Sequence, residues 1–374
     1  MRIAWSRTAV AALVCCVAAS GAEYLVYAGT YTRGVSRGIY AYRFDTRTGK
    51  MRALGLEAEV SNPSFLIEHP DHRFLYAVSE DAIGMVSAYL IDPKSGKLAL
   101  VNRVPSKGDG PCHLALDGEG RWLAVANYGS GSVAVLPLRK DGGMGEAAAF
   151  MQQTGTGVDP RRQAGPHAHA VLFSPDNRYL LVADLGADRI FVYRFDAETG
   201  ALRPADTPSV AVTPGSGVRH LVFHPNGKVL YAVNELANTV TAYLWDTAAG
   251  RLTELQTVSS LPPGYAGPNT AAEIAVNSSA TMVYASNRGL DCLALLVIDP
   301  VRFTLSALEF TPLVGQTPRH FALDPTGAYL LVANQGSDSL TVYTVHPRTG
   351  QIRPVGHPVT GVALPTVVAF VKAR

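Results

Sequence analysis

The chain has 374 residues, 47% of them hydrophobic and only 17% charged, and its 32 basic residues nearly balance 30 acidic ones. That composition excludes bulk disorder, and without a basic field nucleic acid is not an expected partner. Glycine (35) and proline (24) are plentiful, as a chain of many short strands and turns requires.

Residues 1–22 read as a secretory signal peptide. Arg2 and Arg7 form the charged start, Thr8 to Ala19 is an apolar run too short to span a bilayer, and Ser20-Gly21-Ala22 offers small residues for cleavage after Ala22. A periplasmic or secreted protein follows, free of the membrane once cleaved; a retained signal anchor is the alternative. Cys16 would suit a lipoprotein signal, but Cys15 precedes it where a small residue is expected. Of the four cysteines only Cys112 and Cys292 remain, too few for a disulfide framework and without metal-ligand spacing. No metal and no organic cofactor is expected.

From residue 23 onward one pattern repeats. Tyr24–Leu56 supplies the strands YLVYAGTYT and GIYAYRFD, the turn DTRTGKM, and the start of another strand. Six longer units follow, each opening with two short apolar strands around a polar turn. Their turn anchors are Pro70, Gly118, Pro175, Pro225, Ser278 and Pro325, spaced 48, 57, 50, 53 and 47 residues apart. Each unit continues with a third strand such as TVTAYLWD, a turn such as WDTAAGRL, and a fourth strand. Four strands per unit at this period predict the blades of a β-propeller. PTVVAFV at 365–371 supplies the first strand that the N-terminal unit lacks. The expected fold is all-β: a seven-bladed propeller, residues 23–374 as a single domain, closed by the C-terminal strand joining the N-terminal blade. Closure of this kind removes an open edge. Residues 139–166 exceed the repeat and read as a long loop.

In such a blade the first strand leaves one face and the second returns to it. Six residues before the anchor stand Ser64, Cys112, His169, Arg219, Ala272 and Arg319; ten after it stand Glu80, Tyr128, Leu185, Glu235, Arg288 and Gln335. These positions vary from unit to unit, so the repeat does not require them. Nine after the anchor Asn recurs, which is chiefly architectural. Asn234 and Asn287 adjoin Glu235 and Arg288 and join Arg319 as candidate substrate-binding residues. His113, His220 and His320 share a register five before the anchor and read as structural. The segment GPHAHA adds His167 and His169, histidines able to take a proton near neutral pH. Arg219 and Glu235 have a bland reading as a locking ion pair, and a sharper one as part of an anion-binding mouth.

The segments YAGTYTRGVSRGIYAYRFD, GPHAHAVLFSPDNRYLLVADLGADRI, VRHLVFHPNGKVLYAVNEL and AEIAVNSSATMVYASNRGLD resemble the seven-bladed lactonase family, typified by propeller-type 6-phosphogluconolactonase. The fungal carboxymuconate lactonising enzyme shares that fold. The resemblance implies a His, Arg and Glu site: His167 or His169, Arg219, Glu235 and Arg288. It implies hydrolysis of a small, anionic lactone by His-assisted water attack, with arginine stabilising the oxyanion and gripping the anionic group. Val218 stands where the family usually has Pro, and Cys292 where it usually has Ser. The export signal sits poorly with a cytosolic phosphorylated substrate. A muconate-type cycloisomerase and a non-catalytic periplasmic binding module are the rival readings.

Overall fold

The computed structural model describes residues 23–373. The expected signal peptide at 1–22 lies outside them. Seven antiparallel sheets follow one another in the chain, six of them four-stranded and one with an added short strand. They are the blades of a propeller, here numbered 1 to 7, with strands A to D running from the axis outward.

Blade 1 takes its strands B to D from Glu23–Thr30, Gly38–Asp45 and Lys50–Glu59, and its strand A from Pro365–Lys372 at the other end of the chain. Leu25 pairs with Val371 and Val26 with Phe370, so the ring closes as the repeat predicts. Gly29 sits where this joint meets blade 2. A Cβ there would lie 2.1 Å from the Pro63 carbonyl oxygen, so only glycine fits.

Strand B is buried along its whole length in Phe74–Ser79, Trp122–Asn127, Tyr179–Asp184, Val229–Asn234 and Tyr329–Asn334. Both of its faces are covered by neighbouring blades, which is why these segments read as unbroken apolar runs. The outer strands, such as Arg251–Ser259, are largely open. The cores lie between blades: Tyr76 and Val78 of blade 2 pack with Leu123 and Val125 of blade 3. Each large apolar side chain buried in this way stabilises the fold by roughly 1.5–3 kcal/mol.

A polar contact recurs at successive interfaces. A strand-B aromatic donates to a carbonyl in the C–D turn of the next blade: Tyr27 to Gly96, Tyr76 to Gly142, Trp122 to Ala197, Tyr179 to Ala248, Tyr231 to Phe303 and Tyr284 to Gly350. Blade 2's partner turn falls inside the extra segment of blade 3, and the others fall in turns of the repeat.

The segment 139–166 differs from the expected loop. Ala149–Gln152 forms strand D of blade 3, pairing with Ser132–Val135. The extra length is divided between a turn before that strand and a strap, residues 153–167, after it. The reason is that blade 3 still needs a fourth strand, and the repeat is interrupted rather than extended.

Candidate active site

In every blade the start of strand A and the end of strand B meet on one face. Val218 pairs with Asn234, Pro318 with Asn334, Pro111 with Asn127 and Ala168 with Asp184. One residue further along strand A the register shifts. The bulged residues are Arg219, Arg319, Cys112 and His169. A bulge opposes two residues to one and re-aims a side chain. It accounts for the variability of this position: the bulge frees it from the ladder.

Three of the bulged residues meet the strand-B ends around a hollow of about 310 Å3, bordered by His169, Cys112, Tyr128, Glu235, Arg288 and Arg319, with Tyr31, Glu80, Arg162 and Thr270 completing the wall, while Arg219 is buried and does not line it. At its centre is Glu235, buried, with Arg162 Nη2 at 2.7 Å from one carboxylate oxygen and Arg219 Nε and Arg288 Nη2 each at 3.0 Å from the other. The Arg219 contact is an ion pair only; its Nε–H is not aimed at the oxygen and finds no acceptor. Arg219 and Arg288 are also fixed by the carbonyls of Ala272 (2.6 Å) and Ala271 (3.1 Å). Burial would raise the Glu235 pKa, but the guanidiniums of Arg288, Arg219 and Arg162 outweigh it and hold the carboxyl at about 2. Glu235 is therefore a fixed anion.

Across the hollow a second group forms. Arg319 Nη2 donates to the Tyr31 hydroxyl at 2.9 Å, and that hydroxyl is 3.0 Å from both Glu80 oxygens. Burial raises the Tyr31 pKa, so the phenol keeps its proton and donates it to Glu80.

The two histidines of GPHAHA separate. His169 is buried, borders the hollow, and has Nδ1 3.9 Å from Cys112 Sγ. Burial, followed by the charge of Arg219, pushes its pKa well below the usual histidine value, so the ring is neutral. His167 instead stacks on Tyr128 at 4.5 Å and bonds through Nδ1 to the Tyr128 carbonyl at 2.8 Å. It supports the wall without lining it. The Cys112 thiol is pushed up by burial and is no nucleophile.

Asn234 and Asn287 are not brought to the hollow. Asn234 donates to Thr239 and Thr241, and Asn287 donates to the Ser260 carbonyl while accepting from Ser260 and Asn269. Asn234 is spent inside its blade and Asn287 on the connection that leads into its blade, because the pleat turns each away from its neighbour at the strand end. Below the hollow, Glu273 lies 3.0 Å from His220 Nδ1 and 3.3 Å from His320 Nε2, while His113 packs on Phe65 at 4.1 Å. Burial keeps these histidines neutral, His320 at about 4. They plug the axis.

Tyr31, Glu80, Tyr128 and Arg162 escape the sequence reasoning as site residues. Three of them had a signal: Glu80 and Tyr128 stand in the ten-after register, and Tyr31 continues it into the N-terminal blade. Arg162 had none, since it comes from the strap. A larger hollow of about 490 Å3 lies at the opposite face among the strand A–B and C–D turns, but Arg178 there is paired with Asp176 and Arg194 with Asp206.

Comparison with known proteins identifies the family to which this fold belongs. Residues 25–370 match the family model described as Lactonase, 7-bladed beta-propeller. The chain is 33% identical to the 6-phosphogluconolactonase of Bacillus subtilis (strain 168) over 331 residues, 88% of this chain and 93% of that protein. It is 32% identical to the 6-phosphogluconolactonase of Formosa agariphila over 338 residues, 88% of this chain and 94% of that one. The structure of the periplasmic gluconolactonase PpgL of Pseudomonas aeruginosa matches with a TM-score of 0.88 at 37% identity, covering 94% of this chain and 100% of that chain. By sequence, blade count and ring closure alike, the chain belongs to the lactonase family of seven-bladed β-propellers.

Proposed function

We propose that the protein hydrolyses a sugar lactone outside the cytoplasm. The observation that carries this reading is a neutral imidazole, His169, facing the same small hollow as Glu235 and its partners Arg162 and Arg288. Cys112 Sγ near Nδ1 leaves Nε2 of His169 for water. As that water attacks the ring carbonyl, Nε2 takes its proton. Charge develops on the carbonyl oxygen, where Arg288, held by a backbone carbonyl and backed by the buried charge of Arg219, stabilises it. Collapse breaks the ring C–O bond, and the departing alkoxide takes the proton back from the imidazolium. Glu235 keeps the arginines in place, and Arg319 with Tyr31 offers a further anchor for the anionic group or hydroxyls of the sugar. Every step uses the chain's own residues and water.

The N-terminal segment 1–22 supports an exported enzyme, as does the similarity to a periplasmic gluconolactonase. An unphosphorylated lactone is then the expected substrate. Among the described residues no helix is long and apolar enough to cross a membrane.

The test is lactone turnover by the purified protein, corrected for spontaneous hydrolysis. His169→Ala is expected to lose about 10²–10⁴-fold in kcat. His167→Ala should stay within a few-fold of wild type. The acid limb of kcat/KM should lie below pH 6.5, because burial and Arg219 depress the His169 pKa and the ring stays neutral as the solution acidifies. Full activity in both His169→Ala and Arg288→Ala would overturn the mechanism. The surplus of guanidinium also suits a muconate-type dicarboxylate, so product analysis on such lactones separates hydrolysis from cycloisomerisation. Binding without turnover would point to a binding module.

A further inference from the structure

The strap that follows blade 3 is a built element. Gln163 is fully buried; its Nε2 donates to the Leu185 carbonyl at 2.8 Å and its Oε1 accepts from the Asp159 amide at 3.1 Å. Gly157 donates to the Gln163 carbonyl at 3.0 Å, and a Cβ on Gly157 would strike the Gln163 side chain at 2.4 Å. The backbone at 162 is therefore held, and only the Arg162 side chain is left to move.

That side chain reaches over the hollow, with Nη2 2.7 Å from Glu235 Oε1 and 3.3 Å from the Tyr128 hydroxyl. It spans from blade 3 to blade 5, across the blade that carries His169. Three guanidiniums surround the one carboxylate, and they are not equivalent. The Arg219 and Arg288 side chains are 2% and 13% exposed and are tied to backbone carbonyls; Arg162 is 37% exposed and has no such tie. If Arg162 swings away, Glu235 keeps two counterions. If Arg219 or Arg288 did so, a buried charge would be stranded.

We infer that Arg162 is the anion receptor of the site: it leaves Glu235 to grip a carboxylate or phosphate on the incoming lactone, and so sets specificity for charged over neutral substrates. This deepens the lactonase reading and rests on it. Guanidinium matches both anions through paired donors. Its fixed backbone and open flank make it the arginine that an arriving anion meets first.

The experiment compares Arg162→Ala and Arg162→Lys with wild type on three lactones: neutral glucono-lactone, a glucaro-lactone carrying a carboxylate, and 6-phosphoglucono-lactone. Losing a charge-assisted bidentate contact should raise KM for one or both anionic lactones by about 10-fold or more relative to the neutral lactone in Arg162→Ala. Arg162→Lys should recover part of the loss. The anionic lactone that responds identifies carboxylate or phosphate as the group held. Equal losses on all three lactones, or none, would overturn the proposal. Thermal shift with inorganic phosphate and with glucarate separates this from failure of the lactonase reading. If wild type turns over no lactone but either anion stabilises it and not Arg162→Ala, the receptor stands and the lactonase reading falls. If neither anion stabilises wild type, or both proteins respond alike, the receptor falls. Unchanged circular dichroism and melting of the variants without ligand verify that they are folded.

Discussion

Glu235 takes charge from Arg162, Arg219 and Arg288 at once, and removing its carboxylate would strand the two that are most buried. Glu235→Gln is expected to cost about 3–5 kcal/mol of stability at neutral pH, as breaking a buried ion pair from one side does. Urea unfolding measures it. The pH dependence has a definite sign. The folded-state pKa, about 2, lies below the ordinary 4.5, so the stabilisation from Glu235 is fully present above 4.5 and is lost as pH falls toward 2. Wild type and Glu235→Gln should therefore converge in stability across that window, and a constant gap between them would contradict the ion-pair account. At this scale the repeat register pointed to Arg219, Glu235, Arg288 and Arg319 from the sequence, because equivalent strand ends must share a face. It left His167 and His169 undivided. They are two residues apart on the chain, and what separates them is that His169 occupies the strand-A bulge while His167 precedes the strand and folds onto Tyr128.

The blade is the element, and what joins one blade to the next is partly polar. Tyr284 donates to the Gly350 carbonyl at 2.7 Å inside an apolar interface. Tyr284→Phe keeps the ring packing and leaves that carbonyl without its partner, so it should lower stability by about 1–3 kcal/mol, measured by denaturant midpoint at unchanged slope. The turn glycines of the repeat were legible as turn chemistry, with Gly96 and Gly350 both at positive φ. Their carbonyls serving as acceptors for the neighbouring blade were not legible, since that contact joins residues 69 and 66 positions apart in sequence. The segment 139–166 shows a related limit. Four residues, Ala149–Gln152, sufficed for a strand once Ser132–Val135 offered an edge, and so short a run has no periodicity of its own to read.

For the whole molecule, closure is the decisive contact. The strand Pro365–Lys372 buries Val367, Val368 and Val371 almost completely and joins residues from opposite ends of the chain. Deleting 365–374 removes these side chains at roughly 1.5–3 kcal/mol each, against a total stability of about 5–15 kcal/mol for a typical protein. It also bares the edge of Glu23–Thr30. The truncated chain is expected to lose its cooperative melt and to associate, which calorimetry and size-exclusion chromatography would detect; a monomer with a wild-type transition would refute the role given to closure. The all-β class, the seven units, the shared blade and the face on which the polar outliers gather were all legible in the residue pattern. They were legible because a strand buried on both sides must be apolar, turns need glycine and polar caps, and the repeat multiplies each weak signal. Which of those outliers meet depends on how the blades pack. Bulges aim His169 and Arg319 into one hollow and leave Arg219 buried against Glu235, the strap carries Arg162 across the hollow, and hydrogen bonds to Thr241 and Ser260 withdraw Asn234 and Asn287. Bulge placement and strap path depend on packing between blades distant in sequence, and a local pattern of residues does not encode them.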